Sequence, residues 1–260
     1  MRVNAASWKT NLEGKRALVT GASSGLGRHF AQLLADAGAS LVIAARRIEA
    51  LEAFASDINR AGGSAIAVTL DVTNRQSVAA AVEEAWRSAG PIDIVVNNAG
   101  VTVTAPALEH TEDQWDTVID TNLKGAFLVA TQVARAMRDA GQGGSIVNIA
   151  SILGLRQAGQ VASYAISKAA LVQMTKTLAL EWARYSIRVN ALAPGYFDTE
   201  LNRDFCDSAA GTALVKRIPQ RRLGKLPDLD GPLLLLASDA SDYMTGTVIV
   251  VDGGHLVSGL

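Results

Sequence analysis

Seven short runs of aliphatic and β-branched residues, separated by longer amphipathic stretches, restrict what this 260-residue chain can fold into more than any other feature. The runs are Arg16 to Thr20, Ser40 to Ala45, Ala65 to Leu70, Ile92 to Asn97, Ser145 to Ala150, Arg188 to Leu192 and Thr247 to Val251. Between them the amphipathic stretches begin near Gly25, Ile48, Asn74, Thr111, Ser163 and Pro227. Runs that are apolar throughout, rather than alternating, are strands buried on both faces, and the intervening helices supply the cover. The pattern predicts an α/β fold, a doubly wound Rossmann-like parallel sheet with helices on both faces. No repeat or Pro/Gly linker divides the chain, so residues 13–260 read as one domain behind an N-terminal extension, 1–12. Residues 199–224 are too long for an ordinary connection and predict an insertion with short helices of its own, placed to cover a substrate.

Charge narrows the partners. The 24 basic and 25 acidic residues nearly cancel and are not bunched, which leaves nothing to draw in nucleic acid or an anionic membrane. A small molecule is the expected partner. Cys206 is the single cysteine, so no intramolecular disulfide can form, and histidines 29, 110 and 255 make no metal motif. The segment Met1 to Leu12 lacks the apolar centre of a signal peptide, and no run of about 18 apolar residues occurs. These features predict a cytoplasmic protein without a membrane span or a bound metal.

The first predicted strand ends in Thr20-Gly21-Ala22-Ser23-Ser24-Gly25-Leu26-Gly27. Gly21, Gly25 and Gly27 there permit close approach of a pyrophosphate to a helix N-terminus, whose partial positive charge favours the anion. Dinucleotide folds that bind NAD place an acid at the end of the second strand, to hold the adenosine ribose. This chain has Ala44-Ala45-Arg46-Arg47 instead. A guanidinium suits a 2′-phosphate, so NADP(H) is the preferred cofactor with Arg46 as the reader, and NAD(H) the alternative. The other reading of Arg46 and Arg47 is a solvated strand end. Asp71-Val72 and Asn97-Asn98-Ala99-Gly100 close the third and fourth strands, where open sheets bind ligands. Asp71 either accepts from the adenine amine or caps the next helix. Asn98, Ala99 and Gly100 read as a cofactor floor or an ordinary turn.

Ser151 ends the fifth strand, and Tyr164 and Lys168 follow it. At i and i+4 on a helix the ammonium and the phenol share a face, which predicts that Lys168 lowers the Tyr164 pKa toward neutrality. Pro194-Gly195 ends the sixth strand, and Thr199 follows where a carboxamide would need a partner.

Taken together these residues resemble the short-chain dehydrogenase/reductase family, in its single-domain branch, over nearly the whole chain. The family's glycine motif falls on Thr20 to Gly27, so that Ser23, Ser24 and Leu26 join the cofactor residues. Its asparagine motif falls on Asn97 to Gly100, and its proline-glycine motif on Pro194-Gly195. The catalytic tetrad falls on Asn122, Ser151, Tyr164 and Lys168. The resemblance implies a seven-stranded sheet, hydride transfer between NADP(H) and a carbonyl or secondary alcohol, and a homo-oligomer, tetramer or dimer. It implies that Tyr164 is the acid/base, that Lys168 lowers its pKa and holds the nicotinamide ribose, that Ser151 binds the carbonyl oxygen, and that Asn122 holds a water. One departure is Asp230-Gly231-Pro232, which predicts a late helix start or a kink.

Leu153, Gln157 and Tyr196 are the expected substrate contacts beside Ser151 and Tyr164, suiting a small polar or oxoacyl-type compound. Arg217, Arg221 and Arg222 suit an anionic group or a solvated basic face. Two rival functions remain: an NAD-dependent sugar or polyol dehydrogenase of the same family, and a noncatalytic dinucleotide sensor.

Overall fold

The computed structural model describes residues 10–198 and 208–259. Seven strands form one sheet: β1 (Arg16–Thr20), β2 (Ser40–Ala45), β3 (Ser64–Thr69), β4 (Ile94–Asn97), β5 (Gly144–Ile149), β6 (Ile187–Pro194) and β7 (Val248–Val251). All neighbours pair in parallel, in the order β3-β2-β1-β4-β5-β6-β7. The order reverses between β1 and β4, and the crevice beyond their carboxyl ends is where such sheets take ligands.

The helices are α1 (Gly25–Asp36), α2 (Ile48–Arg60), α3 (Arg75–Ala89), α4 (Glu112–Ile119), α5 (Ala126–Asp139), α6 (Ala162–Trp182), α7 (Ala209–Val215) and α8 (Asp230–Ala237). Sequence spacing decides which face each buries. In α2 the buried residues are Leu51, Phe54, Ala55 and Ile58, and α3 repeats the spacing with Val78, Ala81, Val82 and Ala85. Both are the i, i+3, i+4, i+7 stripe of a helix lying on a core. The strands divide by parity. Ala17, Val19, Leu41 and Ile43 pack with α1, α2 and α8 on one side; Leu18, Val42 and Ala44 pack with α3, α5 and α6 on the other. Each large side chain buried this way stabilises the fold by about 1.5–3 kcal/mol.

Two local details bear on the site. Helices α4 and α5 are not continuous: residues Asp120–Gly125 form a π-helical turn that carries Asn122. A Cβ on Gly125 would lie 2.7 Å from Cγ2 of Val72, so the wide turn closes only because position 125 has none. At the other end, Leu226–Leu229 form a 3-10 turn and α8 begins at Asp230, putting Pro232 in its first turn. An amide there has no helical partner to lose, which explains the late start.

Candidate active site

Ser151, Tyr164, Lys168 and Asn122 come from three elements, the end of β5, helix α6 and the π turn, and meet at the carboxyl end of β5. Ser151 follows that strand in extended conformation, and its Oγ accepts from Leu153 N at 3.1 Å, starting a one-turn helix. A side-chain hydrogen bond joins Ser151 to Tyr164, in the first turn of α6. One helical turn on, Lys168 is 4 % exposed; its Nζ donates to Ile149 O at 2.7 Å and sits 5.6 Å from the Tyr164 ring centre.

Asn122 is held on all but one of its hydrogen-bonding positions. Its Oδ1 accepts from Val101 N at 2.7 Å, and its Nδ2 donates to Val101 O at 2.9 Å and Ser167 Oγ at 3.1 Å. Both amide protons are therefore used, and a water held by this side chain has one Oδ1 lone pair to donate to. The first effect of Asn122 is to pin the π turn to the loop after β4. Gly100 completes that wall, for a Cβ there would stand 3.2 Å from Asn122 Oδ1 and 3.6 Å from Lys168 Nζ.

The electrostatics differ from what the i, i+4 spacing suggests. Burial drives the Tyr164 phenol above its ordinary value, with the Ser151 hydrogen bond opposing and Tyr196 adding to the rise. Burial lowers Lys168 to about 8. Burial thus pushes the two groups in opposite senses, the amine down and the phenol up. The expected lowering of Tyr164 by Lys168 is corrected: at neutral pH Tyr164 is a protonated donor.

The glycine turn is built by cross-strand hydrogen bonds. Thr20 Oγ1 accepts from Asn98 N and Ala99 N, each at 3.1 Å, while Asn98 Nδ2 donates to Thr20 O at 3.0 Å and Gly21 O at 3.3 Å. A Cβ at Gly27 would collide with the Gly21 carbonyl oxygen and the Asn98 amide nitrogen, so helix and turn touch there backbone to backbone. Gly25 is the opposite case: its φ is +55° and a Cβ would meet nothing within 4 Å. Ser24, the N-cap of α1, makes no side-chain cap and the first turn holds no acid, whereas α3 is capped by Asn74 and α4 by Thr111 with Gln114. Open space beside uncapped N–H groups fits a phosphate. Leu26 packs on the core.

Several expected residues have other occupations here. Arg47, not Arg46, touches the turn, its Nη2 donating to Ser23 Oγ at 3.1 Å; both arginines are exposed. The sequence signal was the dipeptide, and which arginine reaches Ser23 depends on Arg47 being the α2 N-cap. Asp71 is not the α3 cap, which is Asn74; its Oδ1 accepts from Thr73 N and Oγ1 at 3.0 and 2.8 Å. Val72 is buried in the core against the π turn. Asn97 donates to Asn148 Oδ1 at 3.0 Å, and Asn148 to Thr175 Oγ1 at 2.9 Å, a buried chain that ties β4 and β5 to α6. Pro194 pairs with Val251, and Gly195 is required because a Cβ would lie 2.7 Å from Asp252 Cβ. Thr199 lies outside the described residues. Leu153 is half-buried over Ser151, Gln157 is exposed, and Tyr196 stacks on His255 with ring centres 5.7 Å apart. His255 had no sequence signal, since nothing in a lone histidine after two glycines foretells its partner. Among the described residues no cluster of His, Cys, Asp or Glu could hold a metal ion, and no helix is long and apolar enough to cross a membrane.

A family profile described as Enoyl-(Acyl carrier protein) reductase matches residues 21–255. The chain is 41% identical over 247 residues to a 2-dehydro-3-deoxy-D-gluconate 5-dehydrogenase of Dickeya dadantii, covering 95% of this chain and 97% of the relative. It is 40% identical over 246 residues to a 3-oxoacyl-(acyl-carrier-protein) reductase of Thermotoga maritima, covering 95% and 99%. The crystal structure of a gluconate 5-dehydrogenase from Burkholderia cenocepacia, in complex with NADP and tartrate, superposes with a TM-score of 0.93 at 41% identity, covering 96% of this chain and 98% of that one.

Proposed function

The chain belongs to the short-chain dehydrogenase/reductase family, and on that basis we propose that it is an NADP(H)-preferring oxidoreductase of a keto or hydroxy sugar acid. The observation that carries the reading is the convergence of two hydrogen-bonded hydroxyls, Ser151 and Tyr164, with a buried lysine beneath the phenol. A bound dinucleotide supplies or accepts the hydride. Ser151 hydrogen-bonds the carbonyl oxygen and fixes its position. Tyr164, protonated at neutral pH, donates to the alkoxide as charge develops there, and oxidation of the alcohol runs the same path backwards. Lys168 would hold the ribose of a bound dinucleotide and return a proton to the phenol. Asn122 keeps the π turn and the loop after β4 in register.

The sugar-acid part rests on the relatives from Dickeya dadantii and Burkholderia cenocepacia. The oxoacyl alternative draws on the Thermotoga maritima relative. Turnover of NADPH with 5-keto-D-gluconate, against an oxoacyl thioester, separates them. An inert protein that still binds NADPH would instead be the dinucleotide sensor. Exposed Trp115, Phe127, Ile166 and Leu180 on α4, α5 and α6 support a homo-oligomer built on those helices.

The absence of an acid at the end of β2 and the Arg47–Ser23 contact support NADP(H). Charge-assisted hydrogen bonds contribute about 1.5–3 kcal/mol each. Replacing Arg46 and Arg47 together by Ala is expected to weaken NADPH binding by at least about tenfold while NADH binding moves less than about twofold. Fluorescence titration at fixed ionic strength measures both, and equal losses would return the arginines to a solvated strand end.

A further inference from the structure

The loop between Ser151 and Tyr164 carries a cation, Arg156, at the carboxyl edge of the sheet. Arg156 N donates to Ile152 O at 2.8 Å, so the one-turn helix after Ser151 fixes the base of the side chain. Its Nη1 donates to the carbonyl oxygen of His255, far along the chain. His255 is 4 % exposed, its ring lies against Tyr196, and its Nδ1 has no hydrogen-bond partner among the described residues. Tyr196 in turn stands within electrostatic reach of Tyr164, and Arg156 within reach of both Tyr196 and His255. Burial is the first cause that holds His255 below the ordinary histidine value; Arg156 and Arg217 act in the same sense, and Asp252, whose carboxylate accepts from Gly254 N at 2.8 Å and Leu256 N at 2.5 Å, opposes them. Arg156, His255 and Tyr196 thus form a cationic corner at the same carboxyl edge of the sheet as Ser151 and Tyr164.

We propose that Arg156, seated on the His255 carbonyl and flanked by Tyr196, is the specificity-determining residue that binds the substrate's carboxylate. The inference rests on the sugar-acid reading above and deepens it. The planar guanidinium matches a carboxylate geometrically, and its tether removes rotamer freedom before the ligand arrives.

The test compares 5-keto-D-gluconate with L-sorbose, which carries a hydroxymethyl group in place of the carboxylate. Wild-type protein is expected to favour the acid. Arg156→Gln should lower the ratio of kcat/KM values, acid over sugar, by roughly thirtyfold, mainly through KM for the acid, as loss of one charge-assisted contact implies. Arg156→Lys, which keeps the charge, should recover part of the ratio. NADPH titration checks that each variant is folded. Should the glutamine variant fail that check, His255→Leu, which leaves the backbone carbonyl in place, should still lower the ratio severalfold. An equal loss on both substrates makes Arg156 a structural tether and overturns the assignment while the sugar-acid reading stands. A wild type that reduces neither compound, or prefers the sugar, overturns the reading and the assignment together.

Discussion

Replacing Tyr164 by Phe is expected to lower kcat by about a hundredfold to ten-thousandfold while NADPH still binds, because general acid catalysis contributes about 10²–10⁴. The fold should survive. Tyr164 is half-buried, and removing its oxygen takes one partner from Ser151, whose Oγ still accepts from Leu153 N. The pH dependence sharpens the expectation. Burial keeps the phenol protonated above its ordinary range, so alcohol oxidation, which needs the phenolate, should climb as pH rises toward that range. Carbonyl reduction, which needs the phenol, should fall over the same interval. Steady-state rates in both directions from pH 6 to 10, for wild type and variant, supply the check. A variant with normal turnover would remove Tyr164 from the proton path.

The second large effect separates two glycines of one turn. Gly27→Ala puts a methyl group into the Gly21 carbonyl oxygen and the Asn98 amide nitrogen, and 2.8 Å from the Gly21 carbonyl carbon. Backbone cannot yield as a flexible side chain does, so the substitution should cost about 1–3 kcal/mol of stability or more and displace the Asn98 bonds that shape the turn. Gly25→Ala meets no protein atom, and its cost to folding is the left-handed backbone alone, about 1–2 kcal/mol. Its methyl group enters the space beside the uncapped N-terminus of α1. NADPH affinity should therefore fall at least about tenfold in Gly25→Ala, out of proportion to its change in a urea melt, whereas Gly27→Ala should show the larger loss of stability. If Gly25→Ala binds NADPH normally, the phosphates do not pass over Gly25.

The relation between Lys168 and Tyr164 shows how a correct local pattern can carry a wrong energetic conclusion. The i, i+4 spacing does place the ammonium by the ring. Proximity alone does not fix a pKa. Burial acts on both groups in opposite senses, raising the phenol and lowering the amine, against the attraction that proximity promised. Nothing in the spacing reports burial.

The sequence by itself determined the sheet, the alternation of its helices and the set of motifs at its carboxyl edge, because period and turn chemistry are local properties. Helix starts were legible only to within a few residues: the stretches begin near Asn74 and Thr111, and the structure makes those residues, not Asp71, the N-caps of α3 and α4. Tertiary structure decided which partners those residues take. Asn98 became the clasp of the glycine turn, Val72 the support of the π turn at Asn122, and Arg47 rather than Arg46 the contact of Ser23. It also brought His255 and Arg156 together across 99 positions of sequence beside Tyr196. Such meetings depend on how strands stack and where loops return, and electrostatic shifts depend on how deeply the meeting is buried. Local sequence encodes neither.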